Sequence, residues 1–145
     1  MRNEYIPFAS RICRIIRHTD LEYTFQMSYS GEVKPGQFFE VSIPGYGEAP
    51  ISVSGIGEDM RGPYGNGFSL EDYRGRELVI VAGGTGVSPV RGVIDYFGSH
   101  PEETASLQVI TGFKSPRDIL FGEDLKRWED QMELTLTVDA ADEGE

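Results

Sequence analysis

Cysteine and histidine are scarce in this chain of 145 residues, which has one cysteine and two histidines. A single cysteine, Cys13, excludes a disulfide within the chain and a metal cluster built from its cysteines alone. Because Cys13 lies in an apolar run, we expect it to be a buried small hydrophobic residue rather than a nucleophile. Neither His18 nor His100 has sequence neighbours that resemble metal ligands or a catalytic triad. The sequence therefore predicts no metal site and identifies no catalytic side chain.

Positive charge is the second property that the chain has little of. It carries 13 lysines and arginines against 24 aspartates and glutamates, a formal net charge of -11, and no basic cluster is present. Nucleic acids and anionic membranes are bound largely through lysine and arginine that neutralise phosphate. We therefore expect neither nucleic acid nor membrane among the partners of this protein.

Long apolar runs are missing as well. A membrane-spanning helix needs about 20 consecutive apolar residues, and no run approaches that length. The N-terminal sequence MRNEYIPF also lacks the apolar centre of a signal peptide. These features predict a cytoplasmic protein.

What the sequence does contain is a strongly patterned stretch at residues 77–97. Residues 78–82 are all apolar and precede a glycine-rich turn, after which apolar residues recur at helical spacing. The pattern predicts a strand, a tight turn and a helix, with Ser88 as the N-cap and Pro89 at the first helical position. Because the strand lacks polar alternation, we expect both of its faces to be buried, as in a parallel sheet covered by helices.

The turn consists of Gly83, Gly84, Thr85 and Gly86, which we call the glycine loop. Glycine permits left-handed backbone angles and lets the main chain approach a ligand closely. A helix that begins directly after a strand aims N–H groups and the positive end of its dipole at one spot, which suits a phosphate. The spacing matches neither the G-x-G-x-x-G pattern nor the Walker pattern. Two interpretations of the loop therefore stay open: a dinucleotide-binding site and an ordinary strand-to-helix turn.

The hydrophobic periodicity changes across the glycine-rich residues 60–76. Before them, segments at 8–18, 23–29, 37–43 and 51–54 predict short strands of an antiparallel sheet or small barrel. After them, strands at 78–82, 107–111 and 134–138 alternate with helical segments, which predicts a βαβαβ unit with right-handed crossovers. The expected fold class is a partial β barrel followed by half of a Rossmann-like α/β domain.

Several motifs together resemble the ferredoxin-NADP reductase superfamily. They are a strand-rich first half, the Gly-Pro-Tyr-Gly motif of residues 62–65 and the Ala-Gly-Gly-Thr-Gly-Val-Ser-Pro motif of residues 82–89. The runs GQFFEVSIPGYGEAPISVSG, RGPYGNGF and VAGGTGVSPVRG are most similar to the flavin-containing electron-transfer subunit of anaerobic sulfite reductase. Electron-transfer subunits of dihydroorotate dehydrogenase and of some hydrogenases share this architecture and stay open as alternatives.

The resemblance implies a Greek-key flavin-binding barrel in residues 1–66 and an NAD(P)-binding domain in residues 67–145. NAD(P)H, with NADH weakly favoured, would reduce FAD, and electrons would pass through a [2Fe-2S] centre to the other subunits of a reductase. These partners are the catalytic and iron-sulfur subunits. The protein would position the two ring systems while the cofactors supply the redox chemistry. The resemblance thus makes the chain an NAD(P)H-dependent flavin oxidoreductase subunit.

The resemblance also implies which residues bind the cofactors. The pyrophosphate of NAD(P)H would face the glycine loop, and the adenosine ribose would lie at Thr111 and Gly112. Lys114 or Arg117 would reach a 2′-phosphate, although solvated loop residues are the simpler interpretation of both. The remaining positions are Pro50, Ile51, Ser52 and Val53 at the flavin and Gly62, Pro63 and Gly65 at the hinge between the two sites. For the hinge residues, a plain linker turn is the alternative.

The flavin side departs from the superfamily pattern, which is Arg-x-Tyr-Ser near the ring. Residues 49–52 are Ala-Pro-Ile-Ser, so only Ser52 is kept as a donor to the ring. Without the arginine, backbone N–H groups must hold more of the phosphate charge.

Two segments of the relatives have no counterpart in this sequence. They are the barrel strands and short helix expected after residue 59, and the end of the nucleotide domain with the cysteines of the [2Fe-2S] centre. We expect a fragment or a reduced form of the family protein, or a chain that depends on a partner for the missing surfaces. Two alternatives to an enzyme subunit therefore stay open: a nucleotide-binding module without flavin, and a structural subunit that docks on a redox partner.

Overall fold

The computed structural model describes residues 8–55 and 65–140, which form two parts joined by a connecting segment. We call residues 8–55 the strand-rich half and residues 77–140 the α/β half. The connecting residues 65–76 include one turn of 3-10 helix, Leu70–Tyr73. The predicted domain boundary after residue 66 lies in this segment and stays a prediction.

The strand-rich half consists of two antiparallel hairpins. β1 (Ile12–Arg17) pairs with β2 (Tyr23–Met27), and β3 (Phe38–Ile43) pairs with β4 (Gly47–Ser52). The fourth strand begins at Gly47, earlier than the predicted residue 51. All four strands expose large apolar side chains, among them Ile15, Phe25, Ile43 and Ile51. The half is therefore barrel-like in its strands but open in its packing.

Cys13 is exposed on β1, so the expectation that it is buried was wrong. The reason is that β1 is exposed along its whole length. The Cys13 sulfur lies 3.2 Å from the Ser28 hydroxyl oxygen of the neighbouring strand region.

The α/β half contains a parallel sheet in the order β5-β6-β7. Its elements are β5 (Glu77–Gly83), α1 (Val87–Ser99), β6 (Ser106–Phe113), α2 (Gly122–Gln131) and β7 (Glu133–Val138). The predicted βαβαβ order is confirmed, and with the strands before it so is the expected fold class. No helix within the described residues is long and apolar enough to cross a membrane.

The core lies between this sheet and the two helices. Val87 and Ile94 of α1, Val109 of β6 and Trp128 of α2 are fully buried in it. The Trp128 indole nitrogen donates a 2.8 Å hydrogen bond to the Asp95 carboxylate of α1. This bond satisfies the one polar atom of a large buried side chain and ties α2 to α1.

β5 is buried on one face only, which corrects the expectation that both faces are covered. Ile80 and Ala82 pack against the core, whereas Val79 and Val81 are 62% and 70% exposed. The apolar run of residues 78–82 therefore belongs to a strand whose second face is exposed in the part of the chain that the structure describes. β5 also lies at the edge of its sheet, since it pairs only with β6 there.

The start of α1 differs from the prediction by two residues. The N-cap is Gly86 and the helix begins at Val87, so Ser88 and Pro89 lie inside its first turn. The reason is that Gly84–Gly86 already form a 3-10 turn that continues directly into the helix.

Candidate nucleotide-binding site

The glycine loop lies at the carboxyl end of β5, where the chain turns into α1. Gly84 has a left-handed backbone with φ of 53°, whereas φ is -125° at Gly83 and -64° at Gly86. A side chain at position 84 would be strained, because only glycine adopts such angles at little cost. The three glycines of the loop were expected to permit left-handed backbone angles, but only Gly84 has such a backbone.

The space in front of the loop is open. Gly83, Thr85 and Gly86 are exposed, and a Cβ atom added at Gly84 or Gly86 would meet no atom within 4 Å. The first turn of α1 carries no acidic residue, so no carboxylate there repels an anion. The loop thus presents backbone N–H groups at the positive end of a 13-residue helix, an arrangement that favours phosphate binding.

The end of β6 lies directly beside the loop, because Gly83 pairs with Gly112. The carbonyl oxygen of Gly112 is 3.6 Å from where a Cβ atom of Gly83 would lie. Lys114 follows the strand and is exposed. The structure therefore brings the predicted pyrophosphate and ribose positions together at one edge of the sheet.

Thr111 is arranged differently from the prediction. Its side chain is fully buried in the core, and within the described residues its hydroxyl forms no hydrogen bond. Its carbonyl oxygen accepts a 3.3 Å bond from the hydroxyl of Thr137 on β7. The Thr111 side chain therefore cannot contact a ribose. Gly112 at the ribose and Lys114 at a 2′-phosphate stay predictions.

The predicted flavin residues lie at the end of β4. Pro50, Ile51 and Ser52 are exposed. Val53 is buried, so only its backbone is available to a ligand, and its N–H donates a 2.9 Å bond to the carbonyl oxygen of Gln37. An exposed hydroxyl beside apolar side chains fits the ring of a flavin. The β3–β4 hairpin has no lysine or arginine for the diphosphate.

Gln37 connects the flavin residues to the hinge. Its buried side chain donates a 2.7 Å bond to the carbonyl oxygen of Gly65 and accepts a 2.7 Å bond from the N–H of Lys34. Gly65 has a left-handed backbone with φ of 84°. Gly62 and Pro63, the other predicted hinge residues, lie outside the described residues.

Sequence reasoning missed a set of residues that joins the two halves at α1. The Arg91 guanidinium donates one bond of 2.7 Å to the carbonyl oxygen of Ser54 and another of 2.9 Å to the Asp124 carboxylate. It also lies 5.3 Å from the ring centroid of Phe121, within cation–π range. The available signal was an arginine directly after Val90, one of the apolar residues at helical spacing in the predicted helix.

His18 belongs to the same interface. Its ring packs on Phe121 with centroids 4.7 Å apart, and its Nε2 atom lies 2.8 Å from the Thr24 hydroxyl. Burial lowers the pKa of His18, the positive charge of Arg91 lowers it further, and the carboxylates of Asp124 and Glu22 oppose both. The neutral ring is therefore the form that this contact favours.

Comparison with known proteins agrees with the geometry of the sheet and loop. Residues 80–145 match the family model of the oxidoreductase NAD-binding domain. The ferredoxin reductase of carbazole 1,9a-dioxygenase superposes with a TM-score of 0.73 at 17% identity, over 99% of this chain and 55% of that one. The chain has the ferredoxin-NADP reductase-like fold.

The curated proteins that this chain is similar to include subunits of a sulfhydrogenase and of a dihydroorotate dehydrogenase. The gamma subunit of sulfhydrogenase 1 of Pyrococcus furiosus is 26% identical over 90% of this chain and 57% of its own length. The probable electron transfer subunit of dihydroorotate dehydrogenase B (NAD(+)) of Thermoplasma volcanium is 33% identical over 50% of this chain and 38% of its own.

These relatives test the resemblance found in the sequence. They support the ferredoxin-NADP reductase-like superfamily, whereas the more specific resemblance to the electron-transfer subunit of anaerobic sulfite reductase is not shown. The relatives support the alternative, a hydrogenase or dihydroorotate dehydrogenase subunit, better. The chain spans about half the length of the relatives it matches. Within the described residues, no group of three or more histidines, cysteines or carboxylates could hold a metal ion.

Proposed function

We propose that this chain is an NAD(P)H-dependent electron-transfer subunit of the hydrogenase or dihydroorotate dehydrogenase type. The observation that carries the proposal is the open glycine loop at the end of β5, beside Gly112 at the end of β6. In open α/β sheets, nucleotides bind at the carboxyl ends of the strands. The family model matched by residues 80–145 supports the same ligand.

The loop would bind the pyrophosphate of NAD(P)H through geometry rather than through basic side chains. The chain has a net charge of -11, which disfavours the long-range approach of an anion. Backbone N–H groups and the helix dipole act at short range, where this net charge matters less. Gly86 has a right-handed backbone and no neighbour in front of it, so its surface stays available to a phosphate.

NADH is the nucleotide that we favour. An open cavity of about 520 Å³ lies between the β1–β2 turn and the residues after β6, next to Lys114 in sequence. Its lining includes the arginines Arg17 and Arg117 but also the carboxylates Asp20, Glu22 and Asp118. Three carboxylates against two arginines do not favour the extra 2′-phosphate of NADPH.

FAD is the cofactor that the proposal requires, and the ring would lie at Pro50, Ile51, Ser52 and Val53. The Ser52 hydroxyl would donate to the ring, the buried Val53 would contribute only its backbone, and Gly65 would border the hinge together with Gly62 and Pro63. A bound flavin supplies the conversion of a two-electron donor into one-electron steps. The chain's own part is to hold both ligands and to exclude water between them.

The partners would be the catalytic and iron-sulfur subunits of a multi-subunit complex in the cytoplasm. The names of the relatives, a sulfhydrogenase subunit and a dihydroorotate dehydrogenase electron transfer subunit, support this assignment. A [2Fe-2S] centre would belong to the parts of the complex outside this sequence, which has a single cysteine. A sulfite-reducing partner stays a prediction with less support.

The nucleotide site can be tested with Gly86→Ala. The new methyl group meets no neighbour, so folding should be unaffected, but it occupies the space in front of the loop. We expect the affinity for ADP-ribose, measured by calorimetry, to fall at least about tenfold, which is about 1.4 kcal/mol. Gly122→Ala is the matched control, because its added methyl group also meets no neighbour but lies at the start of α2.

Two results would contradict the proposal. One is an unaltered affinity in Gly86→Ala, and the other is an equal loss in both variants. The flavin part is tested separately by a visible spectrum of the purified chain with added FAD, before and after anaerobic NADH. A retained flavin band that bleaches supports the electron-transfer function. ADP-ribose binding without retained flavin would instead support a nucleotide-binding module, which the lack of basic residues in β3–β4 favours.

A further inference from the structure

We propose that Arg91 is a positioning residue that fixes the end of β4 relative to the glycine loop. The catalytic meaning of this inference rests on the proposed function, in which the loop holds the nucleotide and the end of β4 borders the flavin. The mechanical part, a clamp between the two halves, stands on the contacts of Arg91 and its neighbour Gly92 and does not need the proposed function.

Arg91 makes two hydrogen bonds at once with different nitrogen atoms. Nη1 donates to the carbonyl oxygen of Ser54 at 2.7 Å, and Nε donates to the Asp124 carboxylate at 2.9 Å. The Arg91 side chain is 22% exposed and that of Asp124 is 13% exposed. Water therefore competes little for these bonds, and the planar guanidinium fixes their relative direction.

The position of Arg91 in α1 links the two predicted ligand sites. The helix starts at the glycine loop, and Arg91 lies in its second turn. Ser54 comes directly after Val53, whose N–H is bonded to Gln37, and two residues after Ser52. One side chain thus connects the helix that begins at the loop with the strand end that carries Ser52.

Glycines on both sides of the contact allow this close approach. A Cβ atom at Gly55 would lie 2.7 Å from Nη1 of Arg91. A Cβ atom at Gly92 would lie 3.0 Å from the ring of Pro35, so the strand-rich half touches α1 at the very next residue. The two contacts together restrict both the distance and the rotation between the halves.

Arg127 provides a matched comparison, because it shares a partner with Arg91. It donates to Asp124 at 2.9 Å and to Asp95 at 2.5 Å, both within the α/β half. Removing Arg127 therefore disturbs the same carboxylate without releasing the strand-rich half. Any effect particular to Arg91 must come from its reach to Ser54 and Phe121.

The clamp is tested first without ligands, by the distance between two spin labels. The labels are attached at Glu40→Cys on β3 and Lys126→Cys on α2, both exposed positions, in a Cys13→Ser background. We expect one narrow distance distribution in this parent and in Arg127→Ala, and a distribution at least twice as broad in Arg91→Ala. Arg91→Lys keeps the positive charge but cannot donate to Ser54 and Asp124 in the same geometry, so its distance distribution should have an intermediate width. If Arg91→Ala does not fold, the width in Arg91→Lys decides the test. A narrow distribution in both Arg91 variants would overturn the clamp.

The second measurement addresses the proposed function with FAD and NADH. Because a misplacement of about 1 Å can cost about 100-fold in rate, Arg91→Ala should lower the flavin reduction rate at saturating NADH at least about tenfold. The ADP-ribose dissociation constant should change less than about threefold, with partial rescue of the rate in Arg91→Lys. An unchanged rate with weakened ADP-ribose binding would make Arg91 a nucleotide ligand and overturn the positioning role. If the parent retains no flavin, the proposed function fails, and the spin labels still decide the clamp.

Discussion

The two halves of the molecule differ sharply in how much apolar surface they bury. Among the described residues, eleven hydrophobic side chains are buried, of which ten belong to the α/β half and one, Val53, to the strand-rich half. The α/β half therefore has a core of its own, whereas the strand-rich half is held by hairpin bonds and by contacts with α1. Most of the stability should therefore come from the α/β half, while the strand-rich half depends on its contacts with that half for its position.

The largest expected effect is on the core of the α/β half. Trp128→Ala should lower the free energy of unfolding by about 3–5 kcal/mol, because it removes a fully buried aromatic ring. Phe25→Ala, at a side chain that is 41% exposed on β2, should cost less than about 1 kcal/mol. Urea denaturation measures both values. Equal costs would mean that the hairpins bury more surface than this structure shows, and the contrast between the halves would be lost.

A smaller effect on the free energy of unfolding is expected where Pro35 contacts α1, and the sign of this effect shows whether the two halves are in contact. In an isolated helix, Gly92→Ala would be stabilising by about 1 kcal/mol. With Pro35 in place we expect destabilisation of about 1 kcal/mol instead, because the new methyl group would lie 3.0 Å from the proline ring.

A double-mutant cycle decides this point. In a Pro35→Ala background, Gly92→Ala should become stabilising, as judged by thermal unfolding of all four chains. Stabilisation by Gly92→Ala in both backgrounds would show that the halves are apart in solution.

His18 should make the contact between the halves sensitive to pH. The pKa of His18 is lowered from its usual 6.5, first by burial and then by Arg91. The folded state thus binds this proton less readily than the unfolded chain, so the contribution is complete above about pH 6.5 and is lost as the pH falls through the folded-state pKa.

The matching measurement is the free energy of unfolding between pH 8 and about pH 5.5. We expect a decline toward acid in the parent and a shallower decline in His18→Gln. Identical slopes in the parent and in His18→Gln would show that His18 does not make this contact sensitive to pH.

The smallest effect is expected on the open face of β5. Val81 is 70% exposed, so Val81→Thr should change the free energy of unfolding by at most about 0.5 kcal/mol. Ile80→Thr, which changes a residue packed against the core, is the contrasting variant and should cost about 1–3 kcal/mol. A loss above 1 kcal/mol in Val81→Thr that depends on protein concentration would show that another chain covers this face.

Much of the α/β half could be predicted because its signals are local. The apolar run before the glycine loop, the helical spacing after it and the alternation at residues 134–138 each report on their own segment. The start of α1 was misplaced because Ser88 and Pro89 are good N-terminal residues, while the 3-10 turn ahead of them has no distinct sequence signal.

The features that could not be predicted depend on contacts between distant segments. The exposed face of β5 depends on which side the helices cover, which residues 78–82 do not encode. The burial of Thr111 follows from the register of β6 against β5 and β7. The link from Arg91 to Ser54 joins residues 37 positions apart. Such a link becomes visible only when the two halves are placed together.

The uncovered face of β5 has a consequence for how the purified chain behaves in different buffers. Val79 and Val81 offer apolar surface at a sheet edge, while the net charge of -11 keeps copies of the chain apart by repulsion. Added salt shortens the range of that repulsion to about 3 Å at 1 M and leaves the apolar attraction in place. High ionic strength should therefore promote self-association of this protein, whereas at low ionic strength its copies should stay separate.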